Sequence, residues 1–105
     1  MALHSSVGAL AQHPSQTGAA MFVACKNALD NTGDPVAAGE CDGIVYALLG
    51  VGIHLRDEVR FCPGDSSLED GIKTFIRVLG KSPHLFKEQK IVAALEAFRT
   101  EWPCP

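Results

Sequence analysis

Four cysteines in a chain of 105 residues constrain this sequence more than any other feature. They are Cys25, Cys41, Cys62 and Cys104, and none lies in a C-x-x-C pair. A zinc ribbon or a thioredoxin-like redox motif is therefore poorly supported. An even number in so short a chain points to two disulfides, with three pairings open. The last cysteine is the most telling. In "EWPCP" it stands one place from Pro105. Ends of chains fray, so a buried packing role is not expected there. A thiol in that position calls for a partner.

The hydrophobic pattern says which partner is within reach. It reads as four helices and no strand. Helix 1 is expected from about Ser15 to Asp30, with Met21, Ala24, Cys25 and Ala28 on one stripe. "DNTGDP" stops it, because Gly and Pro continue a helix only at a cost. Helix 2 is expected from about Val36 to Leu55. Ile44, Leu48, Val51 and Leu55 mark one face, and Val45, Leu49 and Ile53 another. Two apolar faces suit the central helix of a bundle. Gly43, Gly50 and Gly52 weaken it but permit a neighbour to approach closely. Helix 3 is expected to start after Ser66 or Ser67, with Ser66 and Glu69 as a capping box. Ile72, Phe75, Ile76 and Leu79 carry its stripe. Ser82-Pro83 reads as the start of helix 4, kinked near Phe86 and ended by Pro103.

In this layout helices 1 and 2 form one antiparallel hairpin and helices 3 and 4 another. Cys25 then faces Cys41, and the ends carrying Cys62 and Cys104 coincide. The expected fold is a small all-α, four-helix domain over residues 15–105, stapled by Cys25–Cys41 and Cys62–Cys104. Chain-entropy estimates give roughly 3 kcal/mol for the shorter loop and about 4 kcal/mol for the longer. Such bridges belong to an oxidising compartment such as a periplasm. The competing reading is four buried free thiols. Residues 1–14 are expected to be a flexible tail or the remnant of a signal peptide, since Ala9-Leu10-Ala11 has the small-x-small form of a cleavage site.

Several function classes lose support. The formal net charge is -3 and no dense Lys/Arg run occurs, so a nucleic-acid footprint is missing. The apolar stretch from Ile44 to Ile53 is too short to span a bilayer. The histidines His4, His13, His54 and His84 show no metal-binding spacing, and no phosphate-cradling glycine loop is present. Oxidised cysteines leave no thiolate nucleophile. The expectation is a protein that is not an enzyme and holds no metal or cofactor.

The succession "CDGIVYALLG", "RFCPGDSSLEDGIKTFIRVLGKSP" and "IVAALEAFRTEWPC" resembles the Rap/Tai family of immunity proteins, which guard bacteria against amidase effectors of the type VI secretion system. Cys41, Gly43 and Ile44 match its helix 2 motif, and Cys62 and Pro63 its turn. Leu79 and Pro83 match the next part, and Ala94, Leu95, Trp102, Pro103 and Cys104 its end. The likeness runs from Thr17 to Cys104. Three features depart from the pattern. Ile44 stands where the family has Tyr, the residue between Cys62 and Pro63 is deleted, and Asp70 stands where a Gln is usual. The resemblance implies a periplasmic helical protein, often dimeric, that binds a peptidoglycan amidase and blocks its active site. The alternative is a small periplasmic chaperone or holdase of the acid-stress kind.

A plug for an amidase cleft must be narrow, polar and rigidly presented. The segment between helices 2 and 3 fits: His54, Arg56, Asp57, Glu58 and Arg60, followed by Asp65, Ser66 and Ser67, with Cys62 pinning one end. The next candidate is the helix 3–4 turn at Lys81, Ser82 and His84. A homodimer is a separate expectation, from the two apolar faces of helix 2.

Overall fold

The computed structural model describes residues 13–105; the Ala9-Leu10-Ala11 reading, with most of the expected tail, lies outside them. Four α-helices follow in order: α1 (Gly18–Asp30), α2 (Pro35–Val51), α3 (Leu68–Lys81) and α4 (Lys90–Glu101). Three short 3-10 turns flank them: Pro14–Gln16 before α1, Gly52–His54 after α2 and Pro83–Lys87 between α3 and α4. The described residues contain no strand, and one isolated bridge pairs Thr17 with Gln89.

Each helix begins on a side-chain cap. The Thr17 hydroxyl accepts from the Ala20 N–H, and the Asp34 carboxylate from the Val36 N–H. The capping box of α3 sits one residue later than the sequence suggested. Ser67 Oγ accepts from the Asp70 N–H at 3.1 Å, and Asp70 Oδ2 accepts from the Ser67 N–H at 3.0 Å. Asp70 wins over Glu69 because it occupies the third position from the cap, where a carboxylate reaches back. The backbone hydrogen bond from Ser67, followed by the side-chain one, holds the Asp70 carboxyl below the usual carboxylate range. Its stabilising effect is present above the unfolded carboxylate pKa and fades as pH falls through the lowered folded value.

Helix 4 does not begin at Pro83 as expected. Pro83–Lys87 is a separate 3-10 turn, and Glu88 and Gln89 are extended. The reason lies in α1. The Gly18 N–H donates to the Glu88 carbonyl at 2.7 Å, which takes that carbonyl out of any helix. Gln89 then caps α4, its Oε1 accepting from the Ile91 and Val92 N–H groups. A Cβ at Gly18 would overlap the Leu85 carbonyl oxygen, so only glycine allows this approach.

The core joins Met21 and Cys25 of α1, Val45 of α2, Phe75 and Leu79 of α3, and Ala94 and Phe98 of α4. The central helix is α3, not α2. Gly71, Ile72, Thr74, Phe75, Val78 and Leu79 are all buried on it. On α2 only Cys41 and Val45 are buried, while Val36 is 79% and Tyr46 73% exposed. High mean hydropathy does not choose a face, whereas the sharp apolar stripe of α3 does. Of the three glycines expected to admit a close neighbour, Gly52 does so, under the Phe61 ring, and Gly71 of α3 does the same against α2, where a Cβ would lie 2.6 Å from Val45 Cγ1. Gly43 and Gly50 face open space.

The helical run Pro35–His54 covers 20 residues and contains an 18-residue window of mean hydropathy 1.5, long and apolar enough by composition to cross a membrane. This exceeds the stretch Ile44–Ile53 read from the sequence, because the helix starts nine residues earlier and includes Val36, Ala37 and Ala38. Lateral ties hold it in the domain. Cys41 is bonded to Cys25, and Glu40 pairs with the nearly buried Lys90 at 2.6 Å. Both expected disulfides are present, Cys25–Cys41 and Cys62–Cys104, with Cα separations of 5.3 and 5.0 Å.

Candidate functional site

The segment from Gly52 to Ser67 is built around one aromatic residue. Phe61 is fully buried although it lies in a connection. Its ring packs against Phe98 and Trp102, with centroids 5.3 and 6.5 Å away. A Cβ at Gly52 would strike that ring, so glycine is required under it. The Phe61 N–H donates to the Gly52 carbonyl at 3.3 Å and closes a loop over residues 53–60. The next residue is fixed twice. Cys62 is bonded to Cys104, and its N–H donates to the Trp102 carbonyl at 2.8 Å.

The predicted charged residues crown this loop. His54, Arg56, Asp57 and Glu58 are exposed, and Arg60 is half-buried. The Val59 and Arg60 N–H groups both donate to the Arg56 carbonyl, giving a tight turn. Arg56 pairs with Glu58 at 3.8 Å and Arg60 with Asp57 at 3.5 Å. Such exposed pairs add little stability. They leave a small polar surface with both signs of charge.

Asp65, Ser66 and Ser67 stand apart from this turn, because the Phe61–Pro63 anchor separates them. Gly64 adopts a positive φ of 61°, and Ser66 Oγ donates to the Pro63 carbonyl at 2.7 Å. Ser67 is engaged as the cap of α3. The two halves also face different neighbours. Asp57 and Arg60 share a cavity with Arg99, Pro103 and Cys104. Ser66 instead lines an apolar groove of about 530 Å³ with Tyr46, Leu49, Gly50, Val51 and Leu68. The second candidate, at Lys81, Ser82 and His84, lies at the entry of the 3-10 turn Pro83–Lys87, with Lys81 and His84 exposed.

Sequence reasoning missed Arg99 and the groove beside Tyr46. Arg99 lies on α4, remote in sequence from the loop it flanks. The groove follows from α2 being peripheral, which hydropathy alone did not reveal. Among the described residues no group of three His, Cys, Asp or Glu side chains is arranged to hold a metal ion. Two disulfides in a domain of this size mark an oxidising, extracytoplasmic setting. Comparison with known proteins finds no matching family model, no similar curated protein and no similar solved structure.

Proposed function

We propose that this chain is a periplasmic immunity protein that binds and blocks a peptidoglycan amidase effector of the type VI secretion system. The reading rests on the resemblance to the Rap/Tai family from Thr17 to Cys104. One structural observation supports it: the polar turn Arg56–Arg60 projects from a base closed by the Gly52–Phe61 hydrogen bond, buried Phe61 and the Cys62–Cys104 bridge. A loop held in this way loses little entropy on entering a cleft. Replacing Arg56, Asp57, Glu58 and Arg60 together by alanine should weaken binding to an amidase that the wild type inhibits by at least about 30-fold, equivalent to about 2 kcal/mol. Calorimetric titration measures it. A change under about threefold, with helical content intact, moves the contact to Lys81, Ser82 and His84.

We also propose that a second copy of the chain covers the outer face of α2. Val36, Gly43, Tyr46, Ala47, Gly50 and Val51 are exposed along it; of the two acidic residues on this helix, Glu40 is paired with Lys90 and Asp42 is half-buried. Standard interfaces take about 800 Å² per partner, against a total surface of 6504 Å² here. The helix alone offers a strip of about 26 by 10 Å, so the groove wall at Leu68 must take part. Light scattering at micromolar concentration should give twice 11.2 kDa, and Tyr46→Glu should return the mass to 11.2 kDa. A wild-type monomer that suppresses aggregation at about pH 2 to 3 would instead support the holdase reading, in which acid exposes apolar surface.

A further inference from the structure

The two disulfides stand in different surroundings. Cys25 and Cys41 are 0% and 1% exposed, sealed between α1 and α2. Cys62 and Cys104 are both half-buried, and Cys104 lines a surface cavity of about 190 Å³ with Asp57, Arg60, Arg99 and Pro103. Two guanidiniums and one carboxylate therefore border this bridge. Asp57 takes up the charge of Arg60. Arg99 has no ion-pair partner among the described residues.

We infer that the Cys62–Cys104 bridge is a thiol-exchange site, open in the folded protein to a small thiol of the glutathione class. The thiolate attacks Cys104 Sγ, because Cys104 and not Cys62 lines the cavity. A bond forms between the incoming sulfur and Cys104 Sγ, and the Cys62–Cys104 bond breaks. Cys62 leaves as a thiolate and takes a proton from water. A second thiolate then attacks the incoming sulfur, forms the oxidised thiol dimer and releases Cys104. The bridge is reduced by two electrons and two small thiols are oxidised. In each step negative charge spreads over three sulfurs in line. Arg99 draws the anion in and stabilises that charge, as cations do beside reactive cysteines.

The geometry also favours closing the bridge again. The hydrogen bond from the Cys62 N–H to the Trp102 carbonyl and the packing of Phe61, Phe98 and Trp102 do not depend on it. The two thiols remain opposed after reduction. This inference does not rest on the proposed immunity role.

The test treats the intact folded protein with reduced glutathione at pH 7.5, quenches with acid and maps the adducts by peptide mass spectrometry. The earliest adduct should lie on Cys104. Cys62–Cys104 should open at least tenfold faster than Cys25–Cys41, at a rate proportional to glutathione concentration. Arg99→Gln should slow the step severalfold and Arg99→Lys should restore it, with the difference shrinking in about 1 M salt, where charges are screened within about 3 Å. Adducts spread evenly over the four cysteines, first adducts on Cys25 or Cys41, or a rate independent of glutathione would overturn the proposal. An Arg99→Gln rate within twofold of wild type would overturn the part given to the arginine.

Discussion

Phe61→Ala is expected to lower the free energy of unfolding by about 3–5 kcal/mol, as for a fully buried aromatic ring in a core. Total stabilities of small domains are about 5–15 kcal/mol, so this one change removes a large part. The ring fills the space between Gly52 and the Phe98–Trp102 pair, and those neighbours cannot easily close the gap. Gly52 has no side chain to move in, and Trp102 is held by its N–H bond to the Phe98 carbonyl at 2.7 Å. Urea unfolding followed by circular dichroism measures the loss. Phe61→Leu keeps most of the volume and should cost far less. A loss under about 1 kcal/mol for the alanine variant would show that Phe61 does not anchor the connection.

The second large effect concerns the disulfides, and here two terms compete. Chain entropy alone ranks Cys62–Cys104, with a separation of 42, above Cys25–Cys41, with a separation of 16. The difference is about 1 kcal/mol. Burial runs the other way. Replacing Cys25 and Cys41 by alanine removes two sulfurs from the core beside Met21 and Val45, and leaves a void. Cys62 and Cys104 are half in solvent, where such a void costs little. The expected result is that Cys25→Ala/Cys41→Ala loses about 4 kcal/mol or more, at least as much as Cys62→Ala/Cys104→Ala. Denaturant midpoints of the two double variants decide the order. If the long-loop pair proves the costlier by about 1 kcal/mol or more, chain entropy outweighs packing here.

Much of this architecture was written in local patterns. The stripe Ile72, Phe75, Ile76 and Leu79 identified α3, and the Gly-Pro interruption after Asp30 separated α1 from α2. The order of helices then gave both disulfides, because antiparallel hairpins bring Cys25 to Cys41 and Cys62 to Cys104. What stayed hidden depends on contacts between distant residues. Whether α2 or α3 is central is decided by which face finds a neighbour, and α2 offered too many apolar positions to tell. The break before Lys90 comes from the Gly18 N–H reaching Glu88, a bond between opposite ends of the chain. Gln89 is also an uncommon cap. For the polar loop, its charge was legible but its rigidity was not. Phe61 reads as an ordinary loop aromatic until Gly52, Phe98 and Trp102 are placed around it.

The order of the cysteines has a consequence for biogenesis. The pairs are consecutive: first with second, third with fourth. A chain crossing a membrane from its N-terminus delivers Cys25 and Cys41 to the oxidant before Cys62 has emerged. An oxidase that joins cysteines in order of arrival therefore makes the native pairing. Nested or crossed pairings need later reshuffling, which takes seconds to hours. Consecutive pairing is thus the arrangement that oxidation in order of arrival produces without a reshuffling step.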